Sequence, residues 1–404
     1  MLKSIKSILT TTLLVMGGIV PLVQSTGAHA QETLKLGFSA PLSGPGAPWG
    51  NGFVWTANQA AQEINSKGGI KAAGKTYMVE IVAYDNKYNA TEGAKVAQTL
   101  INRDNIQFVA GTIATPSVSA LQAISERKGV LHFTGAWGKR LRGKEFPLTY
   151  TMLNSPAEIL EPLYRTILER HPNIKTVALV NPNDATGQDV EKIAVAIWRK
   201  LGVEVVTSEW HERDAIDFSP LVTKLVGRKP DAIELATEPP ATAGQILREL
   251  EVQGWKGVKL VSAGASSAAI VKSAGTAAEK VYMGLAADFD APTATDSQRR
   301  LNAASKKERG EPLDQVTIST WDSVMAIKAA IEKANSIDPR KVAALLPSLR
   351  FESSYGPSGF GLEQEYGTPN QMLLPVIVSQ IVNGKTSEIK RVLPSELIEK
   401  LKAH

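Results

Sequence analysis

The sequence predicts an α/β protein of two lobes, each built around a doubly wound parallel sheet. Strand-like segments alternate with helical segments of about ten to sixteen residues, a pattern typical of parallel sheets with right-handed crossovers. The alternation stops near Pro147 and restarts a few residues later, so a second unit of the same kind follows the first. No long flexible linker separates the two units, which indicates lobes joined by a multi-strand hinge.

Residues 1–30 are expected to be a signal peptide that lies outside the fold. Lys3 and Lys6 form a basic start, an apolar stretch covers 8–23, and positions 28–30 carry the small-x-small pattern of a cleavage site. We therefore expect cleavage after Ala30 and export, most simply to a Gram-negative periplasm. The chain contains no cysteine, so we expect neither a disulfide nor a lipid anchor after the signal.

The first half of the mature chain alternates clearly between strands and helices. The expected strands are 34–38, 77–84, 106–110 and 130–133, and the expected helices are 49–64, 89–101 and one that opens at Thr115-Pro116. Thr115 is predicted to be the N-cap of that helix, because its hydroxyl can accept a free backbone N–H. Pro116 suits the first helical position, where no N–H is needed.

The second half repeats this alternation after an extended segment at 148–153, where we expect the boundary between the lobes. The expected helices are 156–170, 189–201, 218–227 and 243–253, and the expected strands are 176–180, 204–208, 231–235 and 258–262. Strands of four to eight residues between helices of this length fit a second parallel sheet.

The C-terminal third is less regular. It contains an expected strand at 281–285, helices at 295–309, 316–335 and 341–346, and a hairpin of 373–381 and 387–392 across Asn383-Gly384. We expect lobe 1 to comprise 31–150 plus about 282–335. Lobe 2 is expected to comprise 151–281 plus about 336–390, with the C-terminal segment crossing back near the hinge.

Two strand ends in the first lobe form a candidate ligand site. One strand ends just before Thr115, and the other ends in a loop of small residues and one tryptophan, 134–138. Both ends lie on the same edge of a parallel sheet, where open α/β folds bind ligands. Free N–H groups at a helix start suit a carboxylate. An ordinary capped helix and an ordinary strand exit would also explain these residues.

Signatures of enzymes and of nucleic-acid binding are missing from the sequence. The glycines at 44, 46 and 50 have the wrong spacing for a dinucleotide site, and a proline interrupts them. His132 lies in an apolar strand, as expected of a core residue, and His211 is expected on the surface. Basic residues are spread among acids. We therefore predict no catalytic residue, no metal, no cofactor and no nucleic-acid partner.

A series of spaced motifs covers the mature chain. They are Leu42-Ser43-Gly44-Pro45, Gly50, Ala60 to Asn65, Gly68-Gly69-Ile70, Tyr84-Asp85, Gly111-Thr112, Gly244-Gln245-Ile246-Leu247 and Trp321-Asp322-Ser323. This series resembles the periplasmic leucine/isoleucine/valine-binding protein family, the type I substrate-binding proteins of ABC importers of the branched-chain amino acid class. The resemblance implies the type I periplasmic binding protein fold, with two lobes that close on a small ligand and three crossovers. It also implies an inner-membrane ABC permease as partner, and we expect a monomer.

The resemblance also implies site residues. The ligand carboxylate of that family falls on Thr115 and on backbone groups around Ala136 and Gly138, and the first-lobe wall falls on Trp49. Thr134, at the end of its strand, is expected in the same site. The sequence departs from the family pattern at three places. Gly138 stands where the family commonly has a hydroxyl residue, and Thr186-Gly187 stands where it has a tyrosine-glycine step. The acid that holds the ligand ammonium is replaced by Ala263, Gly264 or Ala265. None of those last three residues can hold a cation.

These departures lead to a hypothesis about the ligand. Trp49 and Trp137 are expected in cleft-facing loops, and an indole in such a loop favours burial or a ligand face. Two tryptophans without an ammonium partner suggest a planar carboxylate, such as a benzoate-like acid. Alternatively, Glu238 replaces the missing acid and the ligand is a branched-chain or other aliphatic amino acid, or Glu238 is merely solvated. A short amide or urea-type ligand, or a sensor for a signalling partner, also remains open.

Overall fold

The computed structural model describes residues 31–262 and 266–402, and it confirms two α/β lobes with mostly parallel sheets. The elements of the first stretch are β1 (Gln31–Ala40), α1 (Ala47–Ser66), β2 (Ile70–Ala72), β3 (Lys75–Asp85), α2 (Ala90–Gln98), β4 (Phe108–Thr112), α3 (Thr115–Lys128), β5 (Leu131–Thr134) and β6 (Thr149–Thr151). Strands β4 and β5 are buried at every residue, as expected of strands covered on both faces.

The second stretch repeats the pattern. Its elements are α4 (Pro156–Arg170), β7 (Thr176–Pro182), α5 (Ala185–Lys200), β8 (Glu204–His211), α6 (Ser219–Gly227), β9 (Ala232–Leu235), α7 (Pro240–Val252), β10 (Val258–Val261), α8 (Ser267–Ala274) and β11 (Tyr282–Met283). Helix α5 begins one turn earlier than predicted, because the Asp184 carboxylate accepts the N–H groups of Thr186 and Gly187 at 2.9 and 3.0 Å. The sequence analysis did not predict α8.

The C-terminal third combines helices with short strands. Its elements are α9 (Asp296–Arg309), α10 (Gln315–Ala334), α11 (Pro339–Leu345), β12 (Phe351–Ser353), β13 (Gly356–Ser358), β14 (Phe360–Gly361), α12 (Glu363–Tyr366), β15 (Gln371–Met372), β16 (Val376–Val382), β17 (Lys385–Val392) and α13 (Ser395–Lys402). The predicted hairpin is present as the antiparallel pair β16–β17. Asn383 and Gly384 both have positive φ, as a type I′ turn requires.

Strand order is the same in the core of both sheets. The first sheet runs β14-β15-β6-β5-β4-β1-β3-β2 and the second runs β17-β16-β11-β10-β9-β7-β8. In each lobe the first strand lies between the second and the third long parallel strands, so β1 separates β3 from β4, and β7 separates β8 from β9. Such a reversal of order opens a crevice at the carboxyl ends of the strands, where ligands bind.

Each lobe also brings the start of a helix very close to the end of its first strand. A Cβ at Gly50 in α1 would lie 2.0 Å from the carbonyl oxygen of Pro41, and a Cβ at Gly187 in α5 would lie 2.0 Å from that of Pro182. No side chain fits at that distance. Gly50 therefore serves close packing of helix on strand, which explains a glycine-rich run that lacks dinucleotide spacing.

Strand pairing in the C-terminal third differs from the division expected from the sequence. Strands β14 and β15 pair into the first sheet beside β6, and α11 contacts the first lobe through the Tyr150 hydroxyl, which donates to the Ala343 carbonyl at 2.9 Å. Strand β11, expected at the start of a lobe 1 segment, pairs into the second sheet. Two-residue strands carry no readable periodicity, which is why the sequence could not assign them.

The chain crosses between the lobes at 152–155, 284–295 and 373–375, and a fourth time after β17, one crossing more than the family resemblance implied. After β17, helix α13 returns to the first lobe. There Glu396 accepts the N–H of Leu362 at 2.7 Å, and the Lys400 ammonium donates to the Phe360 carbonyl. The C-terminal helix therefore ties the end of the chain to the first sheet.

A buried acid fixes the turn between β12 and β13 to helix α10. The Asp322 carboxyl accepts the backbone N–H of Ser354 at 2.5 Å and its hydroxyl at 3.0 Å. Burial raises the pKa of Asp322 to about 7 in spite of these two hydrogen bonds. The folded protein therefore holds this carboxyl protonated at pH values where an unfolded chain has already released the proton.

Asp322 should make the stability of the fold depend on pH in a defined window. Its folded pKa lies above its unfolded value, so its contribution is fully present below pH 4 and is lost as the pH rises towards 7. Urea unfolding of wild type and Asp322→Asn should show wild type losing about 1.4 kcal/mol per pH unit relative to the variant in that window. A difference between the two proteins that stays constant from pH 4 to 7 would contradict a raised pKa.

Candidate functional site

A cavity lies between the two lobes at the carboxyl ends of their strands. Its lining residues are Trp49, Tyr88, Ile113, Ala114, Gly135, Ala136, Trp137, Leu153, Thr186, Thr237, Leu285 and Val316. The lining is mostly apolar with a few polar groups, as the lining of small-molecule pockets usually is. Both lobes contribute, so an occupant would touch both.

A larger groove lies elsewhere, at the outer end of the second lobe. It lies near Trp255, the start of β10 and the end of α4, and its empty volume is about 1330 Å³. Because it adjoins the amino end of β10, it lies away from the crevice that strand order creates. We therefore regard the interlobe cavity as the candidate ligand site.

Two indole rings form the first-lobe wall of the cavity. Trp49 lies in the first turn of α1 rather than in a loop, and its Nε1 is buried without a partner among the residues that the structure describes. Trp137 Nε1 donates to the carbonyl oxygen of Asn154 at 3.1 Å. Asn154 belongs to the first interlobe crossing, and its amide also donates to the Leu374 carbonyl in the third crossing. The Trp137 ring is therefore anchored to the hinge.

Two threonine hydroxyls hold the strand-end loops of the first lobe together. Thr115 Oγ1 accepts the N–H of Gly138 at 3.1 Å, and Thr134 Oγ1 accepts the N–H of Ala136 at 3.0 Å. The predicted N-cap was wrong by one residue, because Ala114 is the N-cap, with φ of +85°, and Thr115 is already helical. The Thr115 hydroxyl thus bridges to the neighbouring loop instead of capping its own helix.

This bridging changes which groups are free to meet an anion. The N–H groups of Ala136 and Gly138, expected to hold a carboxylate, are already bonded within the chain. The Arg142 guanidinium binds the carbonyl oxygens of Gly138 at 2.9 Å and Ala136 at 3.2 Å. In a trans peptide the next N–H points the opposite way, so the Trp137 N–H is directed away from Arg142.

Several donors near this loop have no partner among the described residues. They are the N–H of Trp137, the N–H groups of Thr115 and Ser117 in the first turn of α3, and the hydrogen of the Thr115 hydroxyl. The first N–H groups of any α-helix lack an intrahelical partner, and the helix dipole adds positive potential there. The first-lobe wall is therefore suited to a carboxylate beside the indole of Trp137.

The second-lobe wall is organised by one arginine. Arg213 Nε donates to the Asp184 carboxylate at 2.6 Å, and its NH1 donates to the carbonyl oxygen of Thr237 at 3.3 Å. Its guanidinium lies over the ring of Tyr88 in the first lobe, 4.1 Å from the ring centroid. Tyr88 also places its hydroxyl 3.5 Å from that of Thr186. Arg213 therefore joins three loops of the second lobe and stacks on the first.

His211 and Glu238 form an ion pair beside Arg213. His211 Nε2 lies 2.9 Å from Glu238 Oε1, and its Nδ1 lies 2.7 Å from the carbonyl oxygen of Glu212. Both ring nitrogens thus face acceptors, which favours the doubly protonated ring. Burial alone would lower the pKa of His211, but its hydrogen bond to Glu238 and the charge of that carboxylate outweigh burial and raise the pKa. The expectation of a surface His211 was wrong, since its side chain is only 6 % exposed.

A second contact closes the mouth of the cleft. Arg140, in the loop after β5, binds both carboxylate oxygens of Asp189 in α5, at 2.6 and 2.9 Å. Arg140 is 47 % exposed, so this pair contributes at most about 1 kcal/mol. Together with the stacking of Arg213 on Tyr88, it shows that the two lobes are in contact across the cavity.

Comparison with known proteins identifies the family to which this fold belongs. The sequence model of the periplasmic binding protein family matches residues 33–385. The chain belongs to the periplasmic binding protein family. This periplasmic binding protein is 25% identical to the leucine-, isoleucine-, valine-, threonine-, and alanine-binding protein of Pseudomonas aeruginosa, over 82% of this chain and 86% of that one. It is 26% identical to the Leu/Ile/Val-binding protein of Escherichia coli, over 85% and 90%.

Solved structures agree on the fold of this periplasmic binding protein. A leucine binding protein from Thermotoga maritima superposes with a TM-score of 0.77 and 18% identity, over 90% of this chain and 100% of that one. A solute binding protein of an R. palustris ABC transporter, in complex with benzoate, superposes with a TM-score of 0.76 and 15% identity, over 90% and 97%. The resemblance drawn from the spaced motifs is thereby confirmed at the level of the family.

The residues named from the sequence fall into three groups in this periplasmic binding protein. Those that line the cavity are Trp49, Ala136, Trp137 and Thr186. Those that directly adjoin a lining residue in the chain are Thr115, Thr134, Gly138 and Glu238. Gly264, with its neighbours Ala263 and Ala265, lies outside the described residues, as does the segment 1–30 that was expected to be a signal peptide. The binding roles of all these residues stay predictions.

Sequence reasoning missed Tyr88, Thr237 and Arg213. Tyr88 follows the end of β3 and Thr237 follows the end of β9, so the strand-end rule that selected Thr115 would have selected both. No such signal marks Arg213, which lies beyond β8 in a polar loop. Within the described residues there is no group of His, Asp or Glu able to hold a metal ion, and no helix long and apolar enough to cross a membrane.

The contact between Gly138 and Thr115 can be tested by a double-mutant cycle. A Cβ at Gly138 would lie 2.3 Å from Thr115 Cγ2, so Gly138→Ala should cost about 1–3 kcal/mol of stability. Thr115→Ser removes that methyl and keeps the hydroxyl. The cost of Gly138→Ala measured by urea unfolding should therefore be smaller in the Thr115→Ser background. Equal costs in the two backgrounds would show that the methyl is not the obstacle.

Proposed function

We propose that this chain is the solute-binding component of an ABC importer of the branched-chain amino acid class, and that it captures a small aromatic carboxylate between its lobes. The observation that carries this proposal is the interlobe cavity, lined by two indoles from the first lobe and by Thr186, Thr237 and Leu285 from the second. A ligand that contacts both lobes stabilises the closed arrangement over an open one. A permease in the inner membrane would then recognise the closed form.

The carboxylate of the ligand meets the first lobe. Its oxygens accept hydrogen bonds from the Thr115 hydroxyl, the Trp137 N–H and the first N–H groups of α3. All of these donors lack another acceptor among the described residues. Trp49 Nε1, buried and likewise unpartnered there, is a further donor at the cavity wall. Such hydrogen bonds to a charged group are stronger than those between neutral groups.

The rest of the ligand occupies the apolar part of the cavity. Trp49 and Trp137 supply two flat faces, and Ile113, Leu285 and Val316 supply aliphatic surface. Aromatic rings prefer offset or edge-to-face packing on such indoles. A planar acid fits this lining without needing a partner for an ammonium group. The protein carries out no reaction in this proposal, and it works as a periplasmic monomer that delivers its ligand to the permease.

A branched-chain or other aliphatic amino acid is the second candidate. The relatives from P. aeruginosa and E. coli are named for such amino acids, and the R. palustris structure is named for benzoate. One observation on Glu238 favours an amino acid ligand. Its Oε2 is buried without a partner in the described part of the chain and could accept a hydrogen bond from the ligand ammonium. Against it, His211 already supplies the positive charge that this carboxylate needs.

Tryptophan fluorescence should distinguish the two candidates. Titration with benzoate should give a saturable change, because the ring would lie against Trp49 and Trp137. Cyclohexanecarboxylate, a non-planar acid of similar size, should bind more weakly, and leucine should give no saturable change. A saturable response to leucine that disappears in Glu238→Gln, with none to benzoate, would instead establish the amino-acid reading.

Thr115 should contribute directly to binding of the carboxylate. Thr115→Ala should weaken benzoate binding by about 1–3 kcal/mol in calorimetry, because it removes a hydrogen bond to a charged group. Thr115→Ser keeps the hydroxyl and serves as the matched control. Melting temperatures of the ligand-free variants report any loss of the bridge to Gly138 separately. An unchanged affinity in Thr115→Ala would limit Thr115 to holding the loop.

A further inference from the structure

The second-lobe side of the cavity contains buried polar atoms that nothing in the described chain satisfies. They are Glu238 Oε2, Thr237 Oγ1 and one guanidinium nitrogen of Arg213, NH2. Glu238 and Thr237 are 1% and 3% exposed. Leaving a buried donor or acceptor unpaired is costly, so native proteins pair nearly all of them. Three such atoms on adjoining residues indicate a place where another molecule supplies the missing hydrogen bonds.

One of these residues, Thr237, lines the cavity, and the other two are its direct neighbours: Glu238 follows Thr237 in the chain, and Arg213 is hydrogen-bonded to the Thr237 carbonyl oxygen. Tyr88, which also lines the cavity, lies beneath the Arg213 guanidinium. Thr186 lines it as well, and its N–H is held by the Asp184 carboxylate to which Arg213 is paired. Three lining residues therefore contact the group formed by Asp184, His211, Arg213 and Glu238, which we call the Arg213 cluster.

The unpaired atoms define the chemistry of their partner. Glu238 Oε2 needs a hydrogen-bond donor, Arg213 NH2 needs an acceptor, and the Thr237 hydroxyl accepts either. An ammonium group donates only and would leave Arg213 unpaired. A second carboxylate accepts only and would face Glu238. A hydroxyl group donates one hydrogen and accepts through its oxygen, so it can satisfy both sides at once.

Charge balance in the cluster favours an uncharged group as well. Arg213 is paired with Asp184, and His211, with both ring nitrogens facing acceptors, is paired with Glu238. Two cations and two carboxylates leave no net charge to compensate. A further buried ion would therefore lack a partner, and burying an unpaired charge is much more costly than burying a hydroxyl that is hydrogen-bonded.

We propose that Glu238 and Thr237, supported by Arg213, form a polar subsite for a hydroxyl group at the end of the ligand remote from its carboxylate. This subsite rests on the proposed function, in which the carboxylate meets the first lobe. It narrows the ligand class to hydroxy-substituted aromatic acids. The ligand hydroxyl donates to Glu238 Oε2 and accepts from Thr237 or Arg213.

Calorimetry with matched probes tests the subsite. Benzoate, 3-hydroxybenzoate and 4-hydroxybenzoate differ only in the hydroxyl, and the better hydroxy acid should bind the wild-type protein at least about tenfold more tightly than benzoate. In Glu238→Gln, His211 orients the amide oxygen and places an NH2 donor where the acceptor was. The preference should then fall below about threefold.

Two further variants complete the design. Glu212→Gln removes the same charge from the exposed neighbour of His211 and should keep the full preference for the hydroxy acid. Thr237→Val keeps the side-chain shape without the hydroxyl and should reduce the preference, even if Glu238→Gln proves unstable in thermal melting.

The outcomes separate the subsite from the proposed function. Equal affinity for benzoate and both hydroxy acids, or a preference that survives in Glu238→Gln and Thr237→Val, overturns the subsite and leaves an aromatic-acid binder. Binding of leucine without binding of any of the three acids overturns the proposed function, and the subsite with it.

Discussion

The position of Arg213 is the constraint on which the closed cleft depends. One guanidinium pairs with Asp184 at the start of α5, holds the Thr237 carbonyl after β9, and lies on the Tyr88 ring of the opposite lobe. Because the guanidinium is planar, it can form in-plane hydrogen bonds to the second lobe while its face meets an aromatic ring. The Arg213 charge is paired with Asp184 within the second lobe. Contact between Arg213 and Tyr88 of the first lobe therefore does not bury an unpaired charge.

The hinge and the cavity are linked through a small number of hydrogen bonds. Asn154 accepts from the Trp137 indole through its carbonyl oxygen and donates to Leu374 through its amide, so one residue connects a cavity wall with two of the crossings. When a ligand displaces the Trp137 ring, the displacement therefore reaches Asn154, whose backbone belongs to a crossing that sets the angle between the lobes. This arrangement gives the coupling between occupancy and closure a physical route, through contacts that change together.

The fold could be predicted from the sequence because its information is local. Fully buried strands and amphipathic helices alternate, and each pattern is legible within a dozen residues. The strand-end rule brought Ala136 and Trp137 to the cavity, and the family resemblance added Trp49 and Thr186. Arg213 escaped because it meets Tyr88 only across the two lobes, and no local pattern encodes that meeting. The two-residue strands β14 and β15 escaped for the opposite reason, since they are too short to show any period.

The fit of Gly138 against Thr115 bears on how this cleft can change over evolutionary time. The Thr115 methyl occupies the space that any Cβ at position 138 would need, at 2.3 Å. The two positions are therefore not independent. A lineage that acquired a hydroxyl residue at position 138 would first have to replace Thr115 by a smaller residue, so the order of the two substitutions matters. The steric conflict with Thr115 therefore keeps a single substitution at position 138 from adding a polar side chain on this side of the cleft.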